Sequence, residues 1–301
     1  MTDLEALIDA DALGRWIVQQ RWFASKMREP AGFRVLEAAP LDTAPEPQMV
    51  LALVEVGFRA GTHELYHLPL GLRHVDEHWQ DSVIDTVGDR TVYDAMVDPA
   101  CARRLVEALG GGEVLTADEA EWSFHHVADL PSGEGLDPVR PVGVEQSNSS
   151  TVFGDELILK VYRRIEPGPN PELELLRFLT EHGFEHIAQL RGWYEHNGRL
   201  VDATLGLLQE FLPGAGDGWD VVLDSFSQDG GDAVLGDLAR LGEVTAQMHA
   251  TLGSDPTDPT FMPEEISPES ISLLLATIDE DIDVIFRDLP EVETVADIRH
   301  R

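Results

Sequence analysis

The 301-residue sequence contains one cysteine and two lysines, and it has no long apolar run. Because Cys101 is alone, an intramolecular disulfide and a cysteine zinc cluster are excluded. No stretch reaches the roughly 18 apolar residues that a membrane helix needs. The acidic N-terminus lacks the basic and apolar regions of a signal peptide. We therefore expect a cytoplasmic protein without a membrane partner.

Basic residues are also scarce. Only 21 Lys and Arg residues stand against 56 Asp and Glu, which gives a formal net charge of -35 and a pI near 4.4. Such a surface repels nucleic acid and anionic membranes, so neither is expected as a partner. An anionic substrate such as ATP would need local positive charge and a metal ion. The hydrophobic content of 43% is sufficient for a packed core.

The apolar patterns divide the chain into three predicted domains. Residues 1–90 are expected to form a small α+β unit that begins with an amphipathic helix over residues 4–22. Residues 91–212 should contain a helix over 91–109 and then most of the strands. From residue 213 to residue 301 only helical periodicity follows a turn rich in Pro and Gly.

Residues 145–164, EQSNSSTVFGDELILKVYRR, carry the strongest chemical signal. They are predicted to form two short strands with a small polar loop. Lys160 lies inside the apolar alternation of the second strand, although the chain uses arginine at almost every other basic position. Since a lysine near a strand end usually extends to water, this residue alone is a weak signal.

The elements around Lys160 follow the order of a protein-kinase small lobe: strand, polar loop, strand with lysine, helix with glutamate, two strands, then helices. In such a lobe a loop covers the ATP phosphates and the lysine contacts the α- and β-phosphates. A phosphate loop needs small residues so that backbone N–H groups and hydroxyls can approach the phosphate oxygens. Four residues of this chain meet that need: Ser147, Asn148, Ser149 and Ser150.

A glutamate in the following helix should hold the lysine in place. We predict Glu174 as this partner, with Glu172 as a competing choice. Further along, the run LGLLQEFLPGAGDG fits a hinge between two lobes, although an ordinary edge strand with a loop fits it equally well. In the hinge interpretation four residues present their backbone to the adenine ring: Gln209, Glu210, Phe211 and Leu212.

Longer segments of the sequence resemble the maltokinases, including the kinase half of trehalose synthase–maltokinase fusions. The resemblance lies in EQSNSSTVFGDELILKVYRRIEPGPNPELELLRFLTEHGFEHI and in TLGLLQEFLPGAGDGWD. The segment QQRWFASK also resembles the QRWFGGK-type motif of their N-terminal cap. The resemblance implies an α+β, protein-kinase-like fold of the aminoglycoside phosphotransferase type. It further implies an N-terminal α+β cap on the small lobe and the start of a helical large lobe.

The resemblance also implies a function. The maltokinases transfer the ATP γ-phosphate to maltose, giving maltose 1-phosphate for α-glucan synthesis. ATP and Mg²⁺ are therefore the implied cofactors, with maltose or a related sugar, and a trehalose synthase, as implied partners. The resemblance supports the roles given above to the polar loop, Lys160, Glu174 and the hinge. It adds a cap motif, whose simplest interpretation is a helix end with its aromatic residues in the cap core: Gln20, Arg21, Trp22, Phe23 and Lys26.

The sugar and the activity class have alternatives. Related actinobacterial kinases that use glucosamine share the cap and the phosphate loop, so glucosamine or another small sugar is a second candidate. A third hypothesis is a non-catalytic module that binds nucleotide or a partner protein. The cap motif also departs from the family, because ASKMRE replaces a run that is usually rich in glycine.

The catalytic motifs of the family are missing. Its catalytic loop resembles H-G-D-x-H and precedes a D-F-E-like segment, and neither occurs in this sequence. The nearest spacing is His74-Val75-Asp76, which lies in the predicted cap. We therefore expect no catalytic residue and no metal ligand in this chain. The base, the second metal ligand and the sugar-binding residues should lie beyond Arg301, and these 301 residues should be an inactive N-terminal portion.

Overall fold

The computed structural model describes residues 9–42, 47–74, 82–117, 119–142, 148–229, 231 and 234–289. The chain divides into two compact units, residues 1–248 and residues 249–301. Helices and strands occur in the following order: α1 (Ala10–Ile17), β1 (Pro30–Asp42), β2 (Gln48–Phe58), β3 (His63–His74), β4 (Val83–Val87), β5 (Arg90–Asp94), α2 (Pro99–Gly111), β6 (Val114–Ala117), β7 (Ala120–His126), β8 (Val139–Val142), β9 (Asn148–Phe153), β10 (Leu157–Tyr162), β11 (Arg164–Ile165), α3 (Pro171–Glu181), β12 (Leu190–Asn197), β13 (Asp202–Glu210), α4 (Gly218–Asp229), α5 (Leu235–Leu252) and α6 (Pro268–Asp288).

The first sheet has the strand order β1-β2-β3-β5-β4, and all its pairs are antiparallel. Helix α1 packs on one face through Leu13, Trp16 and Ile17, which are buried with the valines of β2. A side-chain oxygen of Asp9 accepts a hydrogen bond from the N–H of Asp11 and so caps the helix. This sheet and its helix form the α+β unit that the sequence predicts at the N-terminus.

The second sheet is also antiparallel and has the order β6-β7-β12-β13-β10-β9-β8. Strand β10, which carries Lys160, therefore lies between β9 and β13. After β10 the chain crosses to the first sheet, where Arg164 and Ile165 of β11 pair with Tyr66 and Leu65 of β3. The chain thus passes directly from the second sheet, in β10, to the first sheet, in β11.

One apolar core lies between the two sheets and helix α2. Fully buried members come from the first sheet, from α2 and from the second sheet, for example Leu53, Leu105 and Leu159. Apolar burial is the dominant favourable term in folding, and these side chains are removed from water only when both sheets are present. The N-terminal unit and the lysine-bearing sheet are therefore stabilised together.

Two predicted helices are shorter in the structure. The helix expected over 91–109 begins only at Pro99, because residues 91–94 belong to strand β5. A side-chain oxygen of Asp98 accepts from the N–H of Ala100 and Pro99 occupies the first turn, so a helix starts there readily. The helix expected over 4–22 ends at Ile17, after which the chain forms turns.

The C-terminal helices expose large apolar side chains. In α4 these include Trp219 and Phe226, which are 70% and 59% exposed. In the second unit, α6 exposes Leu273 and Leu274 among others. No helix in the described part of the chain is both long and apolar enough to cross a membrane.

A buried histidine makes the first unit sensitive to acid. His67 of β3 is fully buried, with ring centroids 5.6 Å from Tyr194 and 6.1 Å from Trp122. Burial, and then the positive charge of Arg163, lower the pKa of His67 to about 3. An unfolded histidine titrates near pH 6.5. Between these values the unfolded chain binds an extra proton, so stability falls as the pH falls.

We expect a His67→Leu variant to lose the part of the pH dependence of stability that His67 causes. Between about pH 6 and pH 4, the unfolding free energy of the unmodified protein should fall more steeply than that of the variant, by as much as about 1.4 kcal/mol per pH unit. Urea denaturation at several pH values measures the slopes. His63→Leu, an exposed position in the same strand, is the control. Equal slopes for His67→Leu and the unmodified protein would contradict this assignment.

Candidate functional site

Lys160 projects from the face of β10 that is opposite the shared core. Successive side chains of a strand point to opposite faces. Leu159 and Val161 are buried in the core between the sheets, so Lys160 and Tyr162 lie on the other face. Tyr162 packs there against Leu173 of α3. The lysine side chain is 17% exposed, so it is largely enclosed while its strand stays in a continuous sheet.

The start of helix α3 places a carboxylate against this lysine. Asn170 accepts a hydrogen bond from the N–H of Glu172, and Pro171 occupies the first helical turn. Lys160 Nζ lies 2.6 Å from Glu172 Oε1, and the Tyr162 hydroxyl donates to Glu172 Oε2 at 2.9 Å. Both carboxylate oxygens are therefore held by side chains of β10.

The predicted partner Glu174 does not make this contact. Two residues along an α-helix correspond to a rotation of about 200°, so Glu174 faces away from Glu172. It lines a separate small cavity with Arg177 and Trp193. The structure pairs Lys160 with Glu172, the competing choice, because Glu172 faces β10 and Glu174 does not.

The ion pair fixes the position of the lysine more than it stabilises the fold. The Glu172 side chain is 37% exposed. A partly solvated pair of this kind typically contributes about 0 to 1 kcal/mol to stability. Its consequence is geometric: the ammonium group is held at the N-terminal end of α3.

The polar residues expected to form a loop lie mostly in a strand. Asn148, Ser149 and Ser150 are the first residues of β9, and Ser147 lies outside the described residues. The turn between β9 and β10 is formed instead by residues 154–156, where Gly154 has φ 56°. A positive φ is easily adopted by glycine and not by serine, so the turn forms there.

The three described polar residues do not share one face. Asn148 pairs with Tyr162 and Ser150 pairs with Lys160, so both are on the lysine face. Ser149 lies on the opposite face, where its hydroxyl oxygen accepts a hydrogen bond from Arg163 Nε at 2.8 Å. Of the predicted phosphate-binding residues in β9, two can face the same ligand as Lys160.

The predicted hinge follows β13. Gln209 and Glu210 are the last residues of the strand, and Phe211 and Leu212 follow it. The backbone N–H group of Glu210 donates to the Gln189 carbonyl at 3.0 Å, and that of Phe211 donates to the Glu156 carbonyl at 2.7 Å. An adenine ring would have to be recognised by other groups of this segment.

The aromatic residues of the cap motif are part of the core of the first sheet. Trp22 and Phe23 are 6% and 1% exposed, and their ring centroids lie 5.8 and 5.6 Å from that of Tyr66. The Gln20 side chain donates to the Trp16 carbonyl. Arg21 and Lys26 are exposed.

A cavity of about 460 Å³ lies between the cap motif and the polar end of β9. Its walls come from the cap motif, the ends of β9 and β10, and the turn before α3. They include Trp22, Ala24, Asn148, Tyr162, Arg164 and Asn170. The fold therefore brings the cap motif next to Asn148 and Tyr162, two residues on the lysine face.

A second polar cluster surrounds Glu64 of the cap. The Ser25 hydroxyl and Arg28 Nη1 donate to Glu64 Oε1 at 2.8 and 2.7 Å. Arg164 Nη2 lies 3.5 Å from the same oxygen, while the Tyr66 hydroxyl donates to Oε2. Burial, together with the hydrogen bond to Glu64, raises the pKa of Tyr66. The cap motif and the segment after β10 thus share one carboxylate.

Other reactive side chains are inert or scattered. Cys101 is 1% exposed, and burial followed by the Asp98 charge raises the pKa of its thiol to about 12. Within the ranges described, no group of three or more His, Cys, Asp or Glu side chains could hold a metal ion. His74 ends β3, and the rest of the His74-Val75-Asp76 spacing lies outside the described residues.

The sequence-based prediction does not include three residues on or next to the lysine strand: Tyr162, Arg163 and Asp94. Tyr162 could have been found, since it follows Lys160 by two positions and must share its face. Arg163 and Asp94 form a buried ion pair with Nη2 2.8 Å from both carboxylate oxygens. No local pattern distinguishes this arginine from the exposed ones, because its partner is 69 residues away.

Comparisons of the sequence with known proteins point to sugar kinases. Residues 16–98 match the family model of the maltokinase N-terminal cap domain. A glucosamine kinase of Mycolicibacterium smegmatis is 29% identical over 121 residues, which cover 37% of this chain and 29% of that protein. A glucosamine kinase of Streptacidiphilus jiangxiensis is 30% identical over 137 residues, covering 42% of this chain and 31% of that protein. The matched segments are thus less than a third of either relative.

Solved structures have the same fold over a larger part of the chain. A glucosamine kinase in complex with glucosamine, ADP and inorganic phosphate aligns with a TM-score of 0.60 and 19% identity, over 96% of this chain and 59% of that one. A second glucosamine kinase structure, crystal form A, gives 0.60 and 18%, over 94% and 60%. Residues 16–98 are thus similar to the maltokinase N-terminal cap domain, and the chain has the kinase-like fold of the solved glucosamine kinases.

Proposed function

We propose that this chain is the nucleotide-holding part of an ATP-dependent sugar kinase. The observation that carries the proposal is the contact of Lys160 on β10 with Glu172 on α3. Phosphoryl transfer in kinases depends on a lysine that contacts the nucleotide phosphates and on a helix glutamate that positions it. Here the strand, the helix and the two charged groups have that arrangement.

The lysine face offers suitable groups for phosphate oxygens. Lys160 supplies a charged donor, and Asn148 and Ser150 add polar side chains on the same face. Ser147 and Ser149 belong to the original prediction of the phosphate loop. Ser149 lies on the opposite face of β9, where it accepts a hydrogen bond from Arg163, so it does not face the same ligand as Lys160. ATP would enter with Mg²⁺, whose ligands we expect outside the described residues.

The adenine ring would lie at the end of β13. Gln209 to Leu212 remain our candidates for the hinge, although Gln209 is itself paired with Ile158 and Leu190 in the sheet. Glu210 and Phe211 contribute backbone N–H groups to the protein itself. Recognition of adenine by this segment would therefore depend on fewer donors than the sequence suggests.

Glucosamine is the first candidate for the sugar, because both sequence relatives are glucosamine kinases. Maltose is the second, because residues 16–98 match a cap domain described for maltokinases. With maltose, the product would be maltose 1-phosphate and a trehalose synthase would be a candidate partner. We propose that these 301 residues do not supply the general base or the metal ligands of the family's catalytic motifs, since those motifs do not occur in the sequence.

Replacing the lysine tests the nucleotide site. We expect Lys160→Ala to weaken binding of MgATP at least about tenfold, since a charge-assisted contact to phosphate is lost. Isothermal titration calorimetry on the 301-residue chain measures the affinity. The exposed Lys26→Ala provides the matched control. Equal affinity of Lys160→Ala and the unmodified chain would remove Lys160 from the site, and no binding to the unmodified chain would refute the proposal.

The choice between the two glutamates can be tested without a nucleotide. Because the chain has only two lysines, labelling with ¹³C-lysine gives two resolvable ε-methylene signals. We expect Glu172→Gln to shift the Lys160 signal, because the Nζ–Oε1 contact loses its charge. Glu174→Gln should leave that signal in place, with Lys26 as internal reference. A shift caused by Glu174→Gln and not by Glu172→Gln would restore the original assignment.

Sugar specificity requires an activity assay. The 301-residue chain should not release ADP from ATP with either glucosamine or maltose, because it lacks the general base. If these residues are joined to a segment that supplies the base, the resulting protein should phosphorylate glucosamine in preference to maltose. Phosphorylation by the 301 residues alone would contradict our placement of the base, and a preference for maltose would select the second candidate.

A further inference from the structure

Arg163 connects three parts of the first unit. It follows β10 directly and is 1% exposed. Its Nη2 lies 2.8 Å from both oxygens of Asp94, at the end of cap strand β5, and its Nε donates to the Ser149 hydroxyl of β9 at 2.8 Å. The guanidinium carbon is 5.4 Å from the ring centroid of Trp22 in the cap motif.

The cap side of this connection is itself fixed. Asp94 Oδ1 also accepts a hydrogen bond from the N–H of Met96, which closes the turn after β5. The backbone carbonyl of Arg163 accepts from the N–H of His67 in β3. A buried arginine that is bonded to a rigid carboxylate has little freedom to move, since separating the pair would leave charges without partners in the interior.

The other side of the connection is the half-buried start of β9. Strand β8 pairs with β9 only from Ser150 onward, through Val142, so within the described residues Asn148 and Ser149 are paired on one edge alone, by β10. The bond from Arg163 to Ser149 therefore adds a side-chain contact at the end of β9 where, among the described residues, only β10 pairs with it.

We propose that Arg163 is a positioning residue for the nucleotide. By bonding Asp94 and Ser149 together, it couples the cap to the strand that presents Asn148 and Ser150 beside Lys160. This inference rests on the proposed nucleotide site. Arg163 does not touch the ligand, because its side chain lies on the face of the sheet opposite Lys160.

The structural alternative is that Arg163 only stabilises the cap against the sheet. Two kinds of variant separate the alternatives. Ser149→Ala removes the contact to β9 and leaves the buried pair with Asp94 intact. The double variant Arg163→Met, Asp94→Leu removes both charges together, a change that is often neutral for stability when the replacements fill the space.

Two measurements on the 301-residue chain decide the question. Hydrogen exchange, followed by mass spectrometry without nucleotide, reports the protection of residues 148–153 against residues 190–197 of β12. Calorimetry reports the affinity for MgADP. We expect both variants to increase exchange in the β9 peptide relative to the β12 peptide, and to weaken MgADP binding about tenfold, as follows if the binding-competent arrangement of β9 falls to about a tenth of the molecules. The thermal midpoint of Ser149→Ala should change little.

The matched control is Arg34→Met, Glu55→Leu, an ion pair of the cap with Nη2 2.8 Å from Oε2 and no contact to β9. It should alter neither measurement. Faster exchange in β9 with unchanged MgADP affinity in Ser149→Ala would make Arg163 purely structural and overturn the inference. Unchanged exchange would show that the bond does not hold β9. If the unmodified chain binds no MgADP, the proposed function fails, and the positioning role fails with it. The exchange result would still show whether the bond from Arg163 to Ser149 holds β9.

Discussion

The alternation of side chains along β10 is the constraint on which the rest of the site depends. One face of this strand is buried in the core that the two sheets share, and this burial fixes the register of the strand. A slip of one residue would place Lys160 in that core and Val161 outside. The apolar residues of the strand thus determine which way the lysine points, and they do so only because the cap supplies the other half of the core.

The chain is acidic, and the positive side chains on and after β10 are paired with carboxylates. Lys160, Arg163 and Arg164 are each close to a carboxylate, in Glu172, Asp94 and Glu64 respectively. Positive groups that are paired in this way contribute little net charge to an incoming polyphosphate. A nucleotide at this site would rely on its own magnesium ion and on backbone N–H groups for much of the charge compensation. The lysine would then contribute mainly as a hydrogen-bond donor at a fixed position.

The sequence predicts those features that depend on local spacing. The strand with Lys160, the helix that begins at Pro171 and the α+β character of the N-terminal unit all follow from periodicity and from capping residues. The prediction chose Glu174 over Glu172, because spacing along the chain does not show which face of a helix meets a strand. It placed a loop at Asn148–Ser150, because small polar residues are common in turns, while strand pairing with β10 overrides that preference.

Long-range contacts could not be predicted in the same way. Arg163 meets Asp94 across 69 residues and Glu64 meets Arg28 across 36. Each pair joins two elements that are neighbours because of the order of strands in the sheets, and local sequence patterns do not show that order. The sequence predicts that Trp22 and Phe23 are buried, but it does not predict that Trp22 lines the same cavity as Asn148, because that cavity forms only where β11 joins the lysine strand to the cap sheet.

The Glu64 cluster explains how the cap motif tolerates its departure from a glycine-rich pattern. In ASKMRE the segment is held by Ser25 and Arg28, which donate to Glu64, while Lys26 and Met27 point to solvent. Glycines would give this turn conformational freedom, whereas side-chain hydrogen bonds to a buried carboxylate restrict it. Since Glu64 is also close to Arg164, the same bonds stiffen the chain directly after β10. Packing and hydrogen bonds therefore connect the cap motif to the segment that follows the lysine strand.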